Sequence, residues 1–487
     1  MEEGSRISFL QSLLYIGLAV GLFLVGYTNI HTSVPLSILI SIMPLSLLTF
    51  FYLLKNPFHA FIAFFALNYA IMGIVRYFPE LLGGIVMDAM AVLTFAGLIV
   101  QSQRGGVQWN FLKNGLIITV SIWLAFCVLT ILNPLSPVEA WIKGIRRTAF
   151  YLFAVPILTC LIIDDFKKLR IILILWSVFV LLSVVKVLIQ RYAGFDAGEI
   201  RWLYVEGNVK THIIYSGVRY FSFFSDAANY GCGMAVAMVF FSIWALYTKS
   251  KGLRIYFIIV SVFAGYGMLM SGTRVAIVIP FVGYSLFAVL TRNVKVIIAG
   301  AVLVIGAFIF LNYTSYLQGN SYVRRMRTAF HPEQDASFLV RVENQRIMRA
   351  YLADKPFGVG LGTAKAAEYS RAEISKLPTD SWLVMVWVET GIVGLVLYIC
   401  IIVYIIGKGI YMVMFKIKDK EVLAIHAALL SAVLGIYVAS YANEIVAQFP
   451  NGPIIYMGMA LIFMSERYDR QVEEQKQIKS PADGRKA

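Results

Sequence analysis

Three arginines lie just beyond apolar stretches of the chain, where the presence of a charged side chain calls for an explanation. Arg219 follows Gly217-Val218, Arg274 ends Ser271-Gly-Thr-Arg274, and Arg341 lies in a long polar segment. A guanidinium binds phosphate through paired hydrogen bonds and stays charged when partly desolvated. The alternative interpretation of any single arginine here is that its side chain extends to the lipid headgroups. Three at separate helix ends favour a phosphate or pyrophosphate ligand.

Two carboxylates accompany the last long apolar stretch. Asp380 precedes Ser381-Trp382 at its outer mouth, where Asp or Ser also makes a good helix N-cap. Glu389 falls inside the stretch, where an ionisable residue indicates either a functional site or a structural hydrogen bond to a neighbouring helix.

Three glycines punctuate the segment Pro356-Phe-Gly358-Val-Gly360-Leu-Gly362-Thr363. The segment lacks the last glycine of a dinucleotide fingerprint and has no βαβ context, and no Gly-Lys-Ser/Thr follows as in a P-loop. By itself it indicates a turn that passes close to another backbone.

Metal and nucleophile motifs are missing from the sequence. No HExxH or His pair at ligand spacing occurs, and the five histidines are scattered (His31, His59, His212, His331 and His426). We therefore expect no metal, no cofactor and no nucleic-acid partner.

The elements that carry these residues are membrane helices. Of the 487 residues, 59% are hydrophobic and 14% charged, with a mean hydropathy of +0.76. This composition predicts an all-α polytopic membrane protein with about 12–14 transmembrane helices. The predicted spans lie near 7–26, 34–54, 57–76, 81–101, 115–133, 148–163, 171–190, 230–248, 255–270, 275–290, 293–312, 382–407, 421–442 and 447–464.

Basic connections set the orientation. Alternation of the spans puts Lys249–Arg254, Arg292–Lys295, Asp164–Arg170, Lys416–Lys420 and the tail Glu466–Ala487 on one side. The positive-inside rule makes that side the cytoplasm, so both termini are expected there. The first apolar run lacks a cleavage site and is predicted to be a retained span.

Two long connections then face outward, 191–229 and 313–381, and long connections are usually functional. An amphipathic helix is predicted at Ala336–Tyr351 within the second. The predicted organisation is membrane helices over 1–312, a large periplasmic loop at 313–381, C-terminal membrane helices over 382–464 and a cytoplasmic tail at 465–487.

In this order, the motifs resemble those of the bacterial O-antigen ligase and O-antigen polymerase superfamily. Ser271–Arg274 is similar to the family's Ser-x-Ser/Thr-Arg turn, and Arg341 with Pro356–Gly362 to the core of its periplasmic loop. Trp382–Gly394 is similar to the span after that loop, and Arg219–Asn229 to the upstream arginine segment. The resemblance covers about residues 215–410.

The resemblance implies a GT-C-like fold and a metal-independent, inverting glycosyl transfer. A glycan leaves undecaprenyl pyrophosphate and joins an acceptor hydroxyl of a glycan or of lipid A–core. Arg219 and Arg274 would stabilise the departing pyrophosphate. The substrate-binding residues implied are Arg341, Asn229, Gly358, Gly360, Gly362, Ser381 and Glu389.

The acceptor hydroxyl also needs a base. Ligases of the family usually carry a histidine eleven residues before the first glycine of their Gly-x-x-Gly pair; counting back from Gly391 reaches Asp380 instead. Asp380 is the first candidate, ahead of Glu389 and Asp226, unless it merely caps the helix. This departure favours polymerase over ligase or protein O-glycosylation. The other readings are a lipid-linked glycan flippase or transporter, or a structural partner of the assembly machinery; a chain-length regulator is a possible partner.

Overall fold

A computed structural model describes residues 34–214, 217–292, 294–316, 319, 321–327, 336–365 and 373–483. Within these residues, nine helices are long and apolar enough to cross a membrane, and shorter apolar helices accompany them. The predicted all-α polytopic membrane fold is confirmed. The predicted span at 7–26 lies outside the described residues.

The helices follow the apolar runs. Those before the first long connection are α1 (Val34–Lys55), α2 (Pro57–Tyr77), α3 (Gly83–Ser102), α4 (Gly115–Leu129), α5 (Val138–Ile145), α6 (Tyr151–Ile162) and α7 (Phe166–Tyr192). The connection itself contains α8 (Ala197–Ile200), α9 (Val209–His212) and the antiparallel pair β1 (Ile213–Ile214) and β2 (Gly217–Val218).

The second half continues with α10 (Ala227–Tyr247), α11 (Lys251–Met270), α12 (Val278–Leu290), α13 (Val294–Tyr313), α14 (Ser321–Arg327), α15 (Ala336–Tyr351), α16 (Trp382–Phe415), α17 (Lys420–Ala439), α18 (Asn451–Phe463) and α19 (Ser465–Asp483). Short 3-10 turns occupy Trp109–Leu112, Thr130–Leu132, Arg274–Ile277, Glu373–Lys376, Ser440–Ala442 and Ile445–Ala447, and π-helical turns occupy Arg146–Phe150 and Arg201–Val205. The predicted amphipathic helix is α15, with the predicted bounds.

The span predicted over 382–407 corresponds to α16, but this helix is not straight. Helix α16 is interrupted at Gly391, whose φ of 71° and ψ of −173° are not helical. The Trp382 indole N–H donates to the Tyr398 hydroxyl at 2.9 Å, although sixteen residues of straight helix would separate them by about 24 Å. The segment 382–390 therefore bends back toward the longer segment, and Glu389 ends a short helix instead of lying inside a continuous span.

Two compact units divide the described residues, one comprising 64–88 and everything from 109 onward, the other 89–108 and everything up to 63. In the smaller unit, Gly97 of α3 packs so closely that a Cβ would lie 3.1 Å from the Leu54 carbonyl oxygen. The larger unit is centred on α10, α17 and α18, whose side chains are almost all buried.

Helix α19 closes one end of the larger unit. The Tyr468 hydroxyl donates to the Ile163 carbonyl at 2.6 Å, and Asp469 accepts from the backbone N–H groups of Lys418 and Asp419 at 3.0 and 2.7 Å. These are two of the connections predicted to share the cytoplasmic side. The candidate site residues therefore lie at the helix ends opposite to these connections.

Candidate functional site

Arg219 and Arg274 are neighbours, as their positions at helix ends suggested. The Arg219 guanidinium donates to the carbonyls of Thr211 and Ser271 at 2.9 and 3.3 Å and to the Thr273 hydroxyl at 3.1 Å. Its pKa is lowered, chiefly by burial; the nearby Arg274 charge lowers it further and Asp226 opposes both. The site thus holds two cations together.

The Ser271–Arg274 turn brings a third basic stem to the pair. Gly272 has a φ of 57°, and a Cβ there would lie 3.3 Å from Arg325 Cδ and 3.4 Å from Arg219 Cγ. Arg325 belongs to α14 and was missed from the sequence. The available signal was its basic run, Arg324-Arg325-Met-Arg327, in a connection predicted to face outward. We call Arg219, Arg274 and Arg325 the arginine cluster.

Asp226 and Asn229 hold the first turn of α10. The Asp226 Oδ1 atom accepts from the N–H groups of Ala228 and Asn229 at 2.7 and 2.9 Å, which makes Asp226 the N-cap. The fully buried Asn229 side chain donates to the Phe449 carbonyl and accepts from Asn451. These contacts give both side chains a structural role at the start of α10. We therefore do not propose Asn229 as a substrate ligand or Asp226 as a base.

Asp380 pairs with Arg341, with 3.7 Å between Asp380 Oδ2 and Arg341 Nε. Both side chains are partly exposed. Asp380 has a φ of 49°, a left-handed conformation that is uncommon for a residue with a side chain. It is not the N-cap of α16: that role belongs to the buried Ser381, whose hydroxyl accepts from the Val384 N–H at 3.4 Å. The capping alternative for Asp380 is therefore excluded, and Ser381 acts structurally.

The three glycines form a turn that packs against the break in α16. The N–H groups of Val359 and Gly360 donate to the carbonyls of Val388 and Glu389 at 2.9 and 3.0 Å. All three glycines have positive φ, and a Cβ on Gly362 would lie 1.8 Å from the Ala140 carbonyl oxygen. The turn, which we call the glycine turn (355–365), is thus built for close backbone packing.

Glu389 is a buried partner of the same assembly. Its Oε1 atom lies 2.6 Å from Arg147 Nη2 and accepts from the Ala364 N–H at 3.3 Å. Arg147 belongs to the π-helical turn before α6. Of the two sequence interpretations of Glu389, the contacts favour the structural one.

A carboxylate that sequence reasoning missed lies beside Asp380. Glu444 Oε2 lies 2.9 Å from Lys365 Nζ, and Glu444 Oε1 accepts a hydrogen bond from the Thr379 hydroxyl. Only 12% of the Glu444 side chain is exposed. Glu444 lies in the connection 440–451. The sequence shows no motif there, because the partners of Glu444 are distant along the chain.

The connection 440–451 links the two halves of the candidate site. Near its start, the Asn443 carbonyl accepts from the Trp382 N–H at 3.3 Å, two residues after Asp380. Near its end, Gln448 accepts from the Ser225 hydroxyl at 3.0 Å, in the loop that leads from Arg219 to α10. The structure therefore groups Arg219 with Arg274 and Asp380 with Arg341, and connects the two groups through one loop.

No group of three His, Cys, Asp or Glu that would hold a metal ion occurs among the described residues. The polar groups gathered here are guanidinium groups and single carboxylates. Such an arrangement is chemically suited to binding an anion, to stabilising a departing phosphate and to accepting a proton on a carboxylate.

A comparison with known protein families covers the same region. A family model described as "O-Antigen ligase" matches residues 259–399, which include Arg274, Arg341, the glycine turn, Asp380 and Glu389. An O-antigen polymerase of Salmonella muenchen is 28% identical over 183 residues. The match covers 36% of this chain and 43% of that protein, so less than half of the relative is spanned. Together with the polytopic helical fold, these matches confirm the resemblance of this part of the chain to the O-antigen ligase and O-antigen polymerase superfamily.

Proposed function

We propose that the protein is a polysaccharide polymerase of the bacterial inner membrane. It transfers a glycan from undecaprenyl pyrophosphate to a sugar hydroxyl of a second lipid-linked glycan at the periplasmic face. The observation that carries the proposal is the arginine pair: the Arg219 guanidinium donates to the hydroxyl of Thr273, the residue before Arg274, at 3.1 Å. Two neighbouring cations repel each other, and a pyrophosphate between them would relieve that repulsion.

The arginine pair stabilises the leaving group. The acceptor oxygen attacks the anomeric carbon, a new glycosidic bond forms, and the bond to the phosphate oxygen breaks with inversion. Undecaprenyl pyrophosphate departs with the electron pair, and its growing negative charge meets guanidinium groups that are already in position. Arg219 is held by three hydrogen bonds to fixed groups of the protein, so little reorganisation accompanies the reaction. The proposal needs no metal or nucleotide.

Asp380 is the proposed base that accepts the proton of the acceptor hydroxyl. Its carboxylate is 44% exposed and is held by Arg341, so an incoming hydroxyl reaches it. An aspartate in the position where ligases usually carry histidine favours polymerase over ligase. The similarity to a protein described as an O-antigen polymerase supports the same choice.

A transfer assay with purified protein tests the proposal. Proteoliposomes would receive lipid-linked repeat units extracted from a strain that lacks the protein, and the products would be analysed for new glycosidic bonds. We expect chain elongation by the wild type, and a loss of about a hundredfold or more in Asp380→Asn. The matched control is Asp354→Asn, because Asp354 is an exposed carboxylate that pairs with the adjacent Lys355. Movement of lipid-linked glycan across the bilayer without bond formation would contradict the proposal and indicate a flippase.

A further inference from the structure

Glu444 touches both sides of one segment of the large periplasmic loop. Lys365 ends the glycine turn, and Thr379 immediately precedes Asp380; the two are fourteen residues apart in the sequence. One carboxylate binds both, through Oε2 to Lys365 Nζ at 2.9 Å and through Oε1 to the Thr379 hydroxyl. Glu444 therefore links Lys365 to Thr379, and both of its oxygens are engaged.

We call these two contacts of Glu444 the clamp. The neighbouring residue Asn443 holds the clamp in place. The Asn443 side chain accepts from the Glu444 N–H at 2.7 Å, and the Asn443 carbonyl accepts from the Trp382 N–H at 3.3 Å. Asp380 thus lies between two residues, Thr379 and Trp382, that are both bound by the pair Asn443–Glu444. Its left-handed φ of 49° is a conformation that persists only where the surroundings hold it.

We infer that Glu444 is a positioning residue that holds Asp380, through Thr379, at a fixed place relative to the arginine cluster. The inference rests on the proposed function for the role of Asp380, but the clamp itself does not depend on it. The connection 440–451 completes the link, since Gln448 binds Ser225 at 3.0 Å and the Phe449 carbonyl accepts from Asn229 at 2.6 Å. One loop therefore sets the separation between the proposed base and the proposed leaving-group site. Asp380 remains the proposed base because its side chain is 44% exposed, whereas that of Glu444 is 12% exposed.

The test combines kinetics with a readout that does not need activity. In proteoliposomes with lipid-linked repeat units extracted from the deletion strain, we expect Glu444→Gln to lower kcat by about tenfold to a hundredfold while KM for the donor stays unchanged. Glu444→Asp, which keeps the charge, should recover part of the loss. The control is Glu343→Gln, which removes an exposed carboxylate paired with Arg346 at 2.8 Å on α15 and should leave kcat unchanged.

Coupling to Asp380 separates a positioning role from general destabilisation. Because Glu444 acts through Asp380, adding Glu444→Gln to Asp380→Asn should lower the residual rate by less than twofold. A full additional loss in the double variant, or a kcat for Glu444→Gln equal to that of the control, would overturn the inference.

Limited trypsin digestion reports on the clamp alone. Lys376 ends the 3-10 turn Glu373–Lys376, three residues before Thr379, and its side chain is exposed. We expect cleavage after Lys376 to be several-fold faster in Glu444→Ala than in the wild type or in Glu343→Gln. Equal cleavage rates would overturn the clamp. An inactive wild type with a clear difference in cleavage would instead reject the proposed function and keep the clamp.

Discussion

The arginine cluster and the glycine turn both belong to the motif pattern that suggested the family, yet the structure explains them in different ways. The glycine turn packs backbone to backbone against the break in α16. Beside it, the buried Glu389 Oε1 lies 2.6 Å from Arg147 Nη2. At the arginine cluster, by contrast, basic stems converge on Gly272 and the pKa of Arg219 is lowered. Backbone packing requires the first arrangement, whereas the second gathers several positive charges around one turn.

The difference separates motif residues that the fold requires from those that are candidates for a role in the reaction. A glycine with positive φ and no room for a Cβ is required by the fold whatever the protein does. Clustered like charges weaken the fold unless a ligand of opposite charge compensates for them. We therefore expect changes in the glycine turn to act on stability and changes in the arginine cluster to act on product formation.

The largest expected effect is that of Arg274→Ala on product formation. Removing this cation takes away stabilisation of the departing pyrophosphate, so polymer should fall by about a hundredfold or more. Relief of the repulsion with Arg219 and loss of the contacts of Arg274 act in opposite directions, so the thermal midpoint of the protein should change little. Polymer would be measured on gels and the midpoint on purified protein, with Arg346→Ala as a control at an exposed arginine. A full yield of polymer from Arg274→Ala would remove the basis of the proposal.

Gly362→Ala should reverse this pattern. Its φ of 80° disfavours a side chain, and the new Cβ would lie 1.8 Å from the Ala140 carbonyl oxygen. We expect a loss of about 4 kcal/mol or more in the free energy of unfolding and low protein levels in membranes. Gly407→Ala on α16, where a Cβ meets nothing within 4 Å, is the matched control. A stable, inactive Gly362→Ala protein would show that the glycine turn contributes to chemistry.

Breaking the buried pair should cost less. Glu389→Gln leaves the Arg147 guanidinium without its charged partner, which predicts a loss of about 3 kcal/mol in unfolding free energy. Adding Arg147→Met should recover part of that loss, because the unpaired charge is gone. Chemical denaturation of the single and double variants checks this. If Glu389→Gln were fully stable and inactive, Glu389 would belong with the catalytic residues.

The smallest expected effect is a pH dependence from His212. Its Nε2 atom accepts from the Ala227 N–H at 3.2 Å, so the folded protein keeps the ring neutral. Burial lowers the pKa from 6.5 to about 4. Between these values the unfolded chain binds more protons, so the free energy of unfolding should fall by about 2 kcal/mol as the pH drops from 6.5 to 4. Above pH 6.5 the group should have no effect.

Thermal midpoints of the wild type and His212→Gln across that range would test the assignment. The variant should lack this component of the pH dependence. The same slope in both proteins would show that other groups cause it.

The helices could be predicted from the sequence because long apolar runs specify them directly. Helix α7 at Phe166–Tyr192 contains the predicted span 171–190, and α15 has the predicted bounds. The break at Gly391 could not be predicted, because a glycine inside an apolar run looks the same in a straight helix and in a bent one. Its cause is the glycine turn, some thirty residues earlier, which packs against it.

The candidate site was predictable only in part. Arg219 and Arg274 stood out because cations at outer helix ends are unusual, and that signal is local. Glu444 gave no such signal, since its partners Lys365 and Thr379 are 65 to 79 residues away and only the folded chain brings them together. Which of Asp380 and Ser381 caps α16 could not be predicted, because both residue types are good N-caps; the structure has Ser381 there.

Glycans from a strain that lacks the protein, complemented with wild type or Arg274→Ala, test the central claim most directly. Surface glycans would be separated on gels, and lipid-linked intermediates analysed in parallel. We expect acceptors that carry a single repeat unit in the deletion strain and with Arg274→Ala, and full-length chains with wild type. Long chains stranded on undecaprenyl pyrophosphate would contradict it and identify a ligase, and an unchanged glycan profile would contradict the enzymatic assignment altogether.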